Sequence, residues 1–153
     1  FAGYYNPSTG GSSCSICPAG TYSSRGQAAC TNCPAGTFNT YYGGHSCLNC
    51  PAGTYNPWTG GTTNCFNCAA GTYSSPGQAN CTACPAGTRN PSTGGTSLNN
   101  CIACAAGTYS SPGQADCSTC PAGMYSVSST NCTTCPVGTF KVEFESFICF
   151  DDF

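Results

Sequence analysis

Little in this chain of 153 residues would build an ordinary hydrophobic core: it holds three isoleucines, two leucines, three valines and one methionine. With phenylalanine these make roughly a tenth of the residues, under the roughly 20% at which apolar burial usually offsets the entropy of ordering a chain. Charge is as scarce. Arg25, Arg89 and Lys141 stand against Asp116, Glu143, Glu145, Asp151 and Asp152. Three scattered cations cannot release the counterions on which nucleic-acid binding depends, so a nucleic-acid partner is excluded. No run approaches the roughly 20 apolar residues of a membrane-spanning helix. The chain opens on Phe1 and not on methionine, which reads as a mature or excised ectodomain. One histidine, His45 in YYGGHSC, is all the imidazole there is, and it reads as a solvated turn residue. With no nucleophile beside a base, the chain is read as no enzyme and no cofactor is called for.

Cysteine is present in excess. Eight CxxC pairs recur at Cys14/Cys17, Cys30/Cys33, Cys47/Cys50, Cys65/Cys68, Cys81/Cys84, Cys101/Cys104, Cys117/Cys120 and Cys132/Cys135, with Cys149 alone at the end. The text between pairs nearly repeats itself, as in CPAGTYSSRGQAAC from Cys17 and CAAGTYSSPGQADC from Cys104. Such a period is the mark of a tandem repeat whose units chiefly touch their neighbours. Units fall near 1–16, 17–32, 33–49, 50–67, 68–83, 84–103, 104–119, 120–134 and 135–149, with a tandem array over 1–139 and a distinct segment over 140–153.

Each unit reads as cysteine, Pro-Ala-Gly or Ala-Ala-Gly, usually Thr and an aromatic, a turn, a return, and the next CxxC. The recurring glycine, from Gly3 and Gly20 to Gly138, implies a positive φ or a close backbone approach. One turn version, SSPGQ at Ser74–Gln78 and Ser110–Gln114, suits a type II turn; the other, NPxTGG at Asn6–Gly11, Asn56–Gly61 and Asn90–Gly95, is longer. Both predict small hairpins, and proline and glycine recur too often for helix. The expected fold is a small disulfide-rich β protein: an elongated solenoid of short β-hairpin repeats stapled by disulfides, with essentially no helix. The aromatics Tyr5, Tyr22, Phe38, Tyr55, Tyr73, Tyr109, Tyr125 and Phe140, interrupted by Arg89, are expected to form a packing ladder, each ring on the next unit's glycine or disulfide, with the Arg89 guanidinium on a ring. Trp58 in its turn reads as an incidental exposed aromatic.

Two chemistries fit the CxxC series. Four sites of four thiolates would make an intracellular multi-zinc protein; disulfides would make a secreted scaffold. The uniformity of the units, the low charge and the N-glycosylation acceptors at Asn80 and Asn131 favour disulfides. Spacing alone leaves connectivity open. One scheme uses the repeat well: Cys17–Cys30, Cys33–Cys47, Cys50–Cys65, Cys68–Cys81, Cys84–Cys101, Cys104–Cys117, Cys120–Cys132 and Cys135–Cys149, which leaves Cys14 unpaired or inter-chain.

The element CPAGTY, followed by SS, a glycine turn and CTxCPAG, resembles the ephrin-receptor-like cysteine-rich repeats and is similar to the surface immobilisation antigens of ciliates, over about residues 1–139. The resemblance implies an extracellular array on a cell surface or in a coat, lipid-anchored in the antigens, and carries over no binding residue. Met124 for Thr, Arg89 for the aromatic and everything after Phe140 depart from the pattern.

After the array, Phe140, Val142 and Phe144 alternate with Lys141, Glu143 and Glu145 as a half-buried strand, and Phe147, Ile148, Phe150 and Phe153 add apolar surface. This segment is expected to cap the array or to pack on the Phe1–Cys14 half-unit of another copy, so self-association end to end is the expected partnership, with glycans on the surface. Serine and threonine, 38 residues, serve turns or O-glycosylation. The function expected is an extracellular structural repeat protein, glycosylated, secreted or at the cell surface, in a coat or head-to-tail fibre; the alternative is a receptor or adhesion ectodomain.

Overall fold

The computed structural model describes residues 1–8, 11–126, 128–136, 139–141 and 149–151, the last two stretches through their backbone. Among them, secondary structure is almost entirely two-stranded antiparallel hairpins. β1 (Tyr4–Tyr5) pairs with β2 (Ser15–Ile16), β3 (Thr21–Tyr22) with β4 (Thr31–Asn32), β5 (Thr37–Phe38) with β6 (Leu48–Asn49), and β7 (Thr54–Tyr55) with β8 (Phe66–Asn67). The series continues with β9 (Thr72–Tyr73) on β10 (Thr82–Ala83), β11 (Thr88–Arg89) on β12 (Ile102–Ala103), β13 (Thr108–Tyr109) on β14 (Ser118–Thr119), and β15 (Met124–Tyr125) on β16 (Thr133–Thr134). The fold is thus a disulfide-rich β repeat. A three-residue 3-10 turn, Leu98–Asn100, occupies the loop before Cys101, where Asn100 Oδ1 accepts from the main-chain N–H groups of Thr96 and Ser97.

The repeated text explains the hairpin. In Pro18-Ala19-Gly20-Thr21 the N–H of Thr21 donates to the Pro18 carbonyl at 3.2 Å and the Thr21 hydroxyl donates to the same oxygen at 2.7 Å. Gly20 at φ +80° supplies the third position of a type II turn, which an L side chain resists. Thr37, Thr54, Thr72, Thr88 and Thr108 repeat the hydroxyl bond. The turn aims the Thr-aromatic strand back at the two residues inside the next CxxC, and the N–H of the second cysteine closes the ladder on the turn glycine, as Cys33 does on the Gly20 carbonyl at 2.9 Å. Two-residue strands are too short to persist alone. Seven disulfides among the described residues hold them: Cys17–Cys30, Cys33–Cys47, Cys50–Cys65, Cys68–Cys81, Cys84–Cys101, Cys104–Cys117 and Cys120–Cys132. Cys135 is also disulfide-bonded. Oxidised sulfurs carry no thiolate charge for a metal, which removes the multi-zinc alternative.

The chain divides into two compact units that interleave in sequence, Phe1–Cys68 with Ser74–Cys81, and Ala69–Tyr73 with Thr82–Phe153. Inside the first, hairpins stack by main-chain bonds: Gly20 N–H donates to the Asn39 carbonyl, Ser23 N–H to Gly44 and Gly36 N–H to Asn56. Each hairpin also meets the next but one. Gly43 N–H reaches the Cys17 carbonyl, Gly60 that of Cys33, and Gly77 that of Cys50, at 2.7 to 2.8 Å. The second unit repeats both contacts on its own, in Gly71 N–H to Asn90 and Gly113 N–H to Cys84. Contact between neighbours alone therefore understates the packing. The glycines permit it, because a Cβ on Gly3, Gly36 or Gly71 would run into the carbonyl of Gly43, Gly77 or Gly113.

At the end of the chain the described residues supply two short strands, β17 (Thr139–Lys141) and β18 (Cys149–Asp151), which pair with each other. Their register, Thr139 opposite Asp151 and Phe140 opposite Phe150, matches Thr21 opposite Asn32 and Tyr22 opposite Thr31. The repeat geometry thus runs on to Asp151. Val142, Phe144, Phe147, Ile148 and Phe153 lie outside the described residues.

Candidate functional site

The interior is made of half-cystines and polar side chains. Cys17, Cys33, Cys50, Cys68 and Cys84 are fully buried, with Cys104 and Cys120 nearly so. Beside them lie Ser23, Asn39, Asn56, Ser74, Asn90, Ser110 and Ser126, all at most 9% exposed. Each is the residue after the row position, so strand alternation turns it inward. Six of them donate to the main chain of an earlier hairpin: Ser23 Oγ to Tyr4, Asn39 Nδ2 to Thr21, Asn56 Nδ2 to Thr37, Ser74 Oγ to Thr54, Asn90 Nδ2 to Thr72 and Ser110 Oγ to Thr88, at 2.8 to 3.0 Å. No buried side-chain polar atom among the described residues lacks a partner.

This ladder, and not the rings, runs through the stack. Tyr22, Phe38, Tyr55, Tyr73, Tyr109 and Tyr125 are only half-buried, and at Gly3, Gly20, Gly36 and Gly71 a loop carbonyl takes the space beside the glycine. Among the described residues no ring receives the Arg89 guanidinium; its Nη1 sits 3.4 Å from Asp116 Oδ1 in an exposed ion pair. The sequence does carry a signal for the ladder. Every row position but Phe140 is followed by serine or asparagine, and asparagine goes with Gly-Gly while the Ser-type loops, apart from that after Ser126, carry one glycine. In the Asn type, Oδ1 accepts from the N–H two residues on, as at Tyr41, Trp58 and Ser92. Its Nδ2 then lies where a Cβ on Gly44, Gly61 or Gly95 would be.

Several predicted positions lie on the surface. Asn80 and Asn131 are exposed, so both acceptors are open to modification. Trp58, 62% exposed, stands edge-on to Phe66 with ring centroids 5.4 Å apart, and Tyr55 meets the same ring at 6.0 Å. His45, exposed, borders a hollow of about 260 Å³ with Tyr41, Tyr42 and Leu48. Phe140 and Phe150 are register partners in the β17–β18 ladder, and Cys149 opens β18.

The first two hairpins carry a larger hollow, about 460 Å³, bordered by Phe1, Tyr4, Tyr5, Asn6, Cys14, Arg25 and Gln27 among others. Phe1 is 92% exposed there, and Cys14 is an exposed free thiol. Asn6 keeps the local half of its ladder role, accepting from Ser8 N–H at 2.9 Å, but turns its Nδ2 onto Gly11 of its own loop at 2.7 Å. Gly26, the turn glycine equivalent to Gly43, Gly60 and Gly77, has nothing within 4 Å of a Cβ position.

Residues 20–63 match the sequence profile of a family described as tyrosine-protein kinase ephrin type A/B receptor-like. A comparison with curated proteins finds no match. The matched stretch covers the hairpins β3–β4 and β5–β6 and the start of the next. With the disulfides, it makes this chain a tandem repeat of extracellular type. No helix among the described residues is long and apolar enough to cross a membrane.

Proposed function

We propose that this chain is an extracellular structural repeat protein, without enzymatic activity, that associates end to end with copies of itself in a surface coat or fibre and carries N-linked glycans at Asn80 and Asn131. The observation that carries this reading is where the recognition groups of the repeat go. The donors of turn, strand and ladder side chain are spent on other hairpins of the same unit. A repeat that binds its own kind is suited to building material. The test is material from the native source: an intact mass above 15.5 kDa by discrete increments that a glycosidase removes, with fibres or sheets by electron microscopy, supports the role. A bare polypeptide mass and dispersed monomers would reverse it.

A second reading, a receptor or adhesion ectodomain, draws on the ephrin-receptor-like match and on the exposed Trp58, inside the matched stretch, with the exposed Phe66 just past it. Exposed aromatics are favoured anchors for a protein partner. Trp58→Ala abolishing adhesion while leaving assembly intact would select this reading.

A further inference from the structure

We propose that the hollow of about 260 Å³ beside the Asn39–Gly44 loop, bordered by Tyr41, Tyr42, His45, Ser46 and Leu48, binds one neutral sugar ring of a glycan. The site goes beyond the coat role and stands whether or not copies join end to end.

The repeat supplies its own comparison. Three loops share one plan of asparagine, three residues and Gly-Gly: Asn39–Gly44, Asn56–Gly61 and Asn90–Gly95. In each, the asparagine Oδ1 accepts from the N–H two residues on and Nδ2 donates to a strand carbonyl of an earlier hairpin. These bonds are what the loop needs in order to fold. The residue before Gly-Gly is Thr59 or Thr93 in two loops and Tyr42 in the third; the residue after it is Thr62 or Thr96 in two and His45, the single histidine of the chain, in the third. Threonine therefore satisfies the fold at both positions, and neither the phenol nor the imidazole is there to hold the loop. They are not there to fill the interior either, since Tyr41 and Tyr42 are 73% and 70% exposed and His45 and Leu48 also lie on the surface.

The hollow is held in place by the stack. Gly43 N–H reaches the Cys17 carbonyl at 2.8 Å, the Asn39 amide reaches the Thr21 carbonyl at 2.8 Å, and Asn39 N–H reaches the Gly61 carbonyl at 3.0 Å. Hairpins on both sides of this loop are thus present and bonded to it, so the hollow is no gap in the array. A loop anchored at three points keeps the geometry of what it carries.

The border selects the class of ligand. Among the described residues no Lys, Arg, Asp or Glu borders the hollow, so nothing there compensates an anion or a cation. The tyrosine rings and Leu48 offer apolar surface, while the phenol hydroxyls, the imidazole and the Ser46 hydroxyl offer donors and acceptors. The ligand that matches has a face of C–H groups, a rim of hydroxyls and no charge, as in a neutral hexose or an N-acetylhexosamine. About 260 Å³ is below the roughly 300–1,000 Å³ of sites that enclose a whole drug-sized molecule, which limits the contact to one ring. Two sources carry such a ring: N-linked glycans at the exposed Asn80 or Asn131 of a neighbouring copy, and the glycans of another surface.

The experiment uses the full oxidised chain and proton NMR, in which the imidazole C–H signals belong to His45 alone. The probes are the methyl glycosides of mannose, glucose and galactose, with N-acetylglucosamine and N-acetylgalactosamine. At least one should shift the His45 signals saturably, with a dissociation constant of about 1 mM, as a contact of one ring allows. Tyr42→Thr gives this loop the residue of its sisters, so it should keep the disulfide mass and the unfolding temperature while weakening binding at least about tenfold. Trp58→Ser, outside the hollow, should leave binding unchanged. Glycans released by glycosidase from native material separate the sources: saturable shifts with them point to a neighbouring copy, and shifts with the free glycosides alone point to another surface. His45 signals that ignore every sugar at about 50 mM, far above that constant, would overturn the site, as would binding that survives Tyr42→Thr intact. Neither result touches the coat role, which has its own test.

Discussion

Gly36 and Gly26 have the same backbone, φ +81° in each, and opposite surroundings. A Cβ on Gly36 would enter the Gly77 carbonyl of the next hairpin but one; on Gly26 it would meet nothing. Gly26→Ala should therefore cost only the strain of a positive φ, about 1 kcal/mol. Gly36→Ala must also push its hairpin away from the Gly77 loop and should cost about 3 kcal/mol or more by the same scale. Thermal unfolding of the two variants measures the difference, and equal losses would mean that the loop carbonyl does not press on the glycine. Asn56 makes a parallel case. Truncation to alanine strands the Thr37 carbonyl and the Trp58 N–H, at 2.9 and 3.2 Å from the amide, in a 4% exposed pocket, for a loss of about 2 kcal/mol. Asn6→Ala, whose bonds are exposed and local, should cost well under about 1 kcal/mol in the dilute chain.

A single hairpin is legible in the sequence, because each of its components is local. Pro-Ala-Gly-Thr specifies a type II turn by sterics, the glycine tolerates positive φ, and the spacing of the cysteines brings one CxxC against the last. Spacing alone leaves open the connection from the second cysteine of one pair to the first of the next, which the seven described bridges make. What lies between hairpins is harder to read. That Ser23 or Asn39 points inward follows only once the register is known, since one residue of slip exchanges the faces of a strand. The aromatic row suggests a core because rings are the largest apolar groups available, yet the interior takes sulfur, hydroxyl and amide and leaves the rings half-buried. Arg89 misleads for a similar reason: Asp116 lies 27 residues away and its approach depends on how β11–β12 and β13–β14 stack. That pair is exposed, so Arg89→Ala should cost under about 1 kcal/mol, and less still in high salt. Each disulfide is another matter. Replacing Cys50 and Cys65 together by alanine frees a loop spanning a sequence separation of 15, worth about 3 kcal/mol in the chain-entropy account. It also leaves a void at fully buried Cys50, so urea unfolding should show a loss at or above that figure.

For the molecule as a whole, the disulfides take the place of a hydrophobic core, and its stability should follow its redox state more closely than its temperature. No buried leucine, isoleucine or valine is found among the described residues, and the apolar portion of the interior is half-cystine. The hydrogen-bond ladder cannot assemble unless the loops are already closed, because two-residue strands offer too few bonds to offset the ordering of loops whose bridged cysteines stand 12 to 17 residues apart. Alkylation of the native dilute chain without reductant should therefore add one label, at Cys14, and alkylation after full reduction in denaturant should add 17. Peptide mapping should place the single label at Cys14 and find the seven described bridges intact. The stronger form of the prediction concerns order. Graded reduction should open each unit in cooperative steps rather than one bridge at a time, because within a unit hairpins are bonded to the next and to the next but one, as at Gly36 and Gly43 in the first and Gly71 and Gly113 in the second. Partially reduced chains trapped by alkylation should then show clusters of adjacent open bridges. A random scatter of open bridges across the chain would mean that the hairpins fold independently and that the contacts between them add little to their stability.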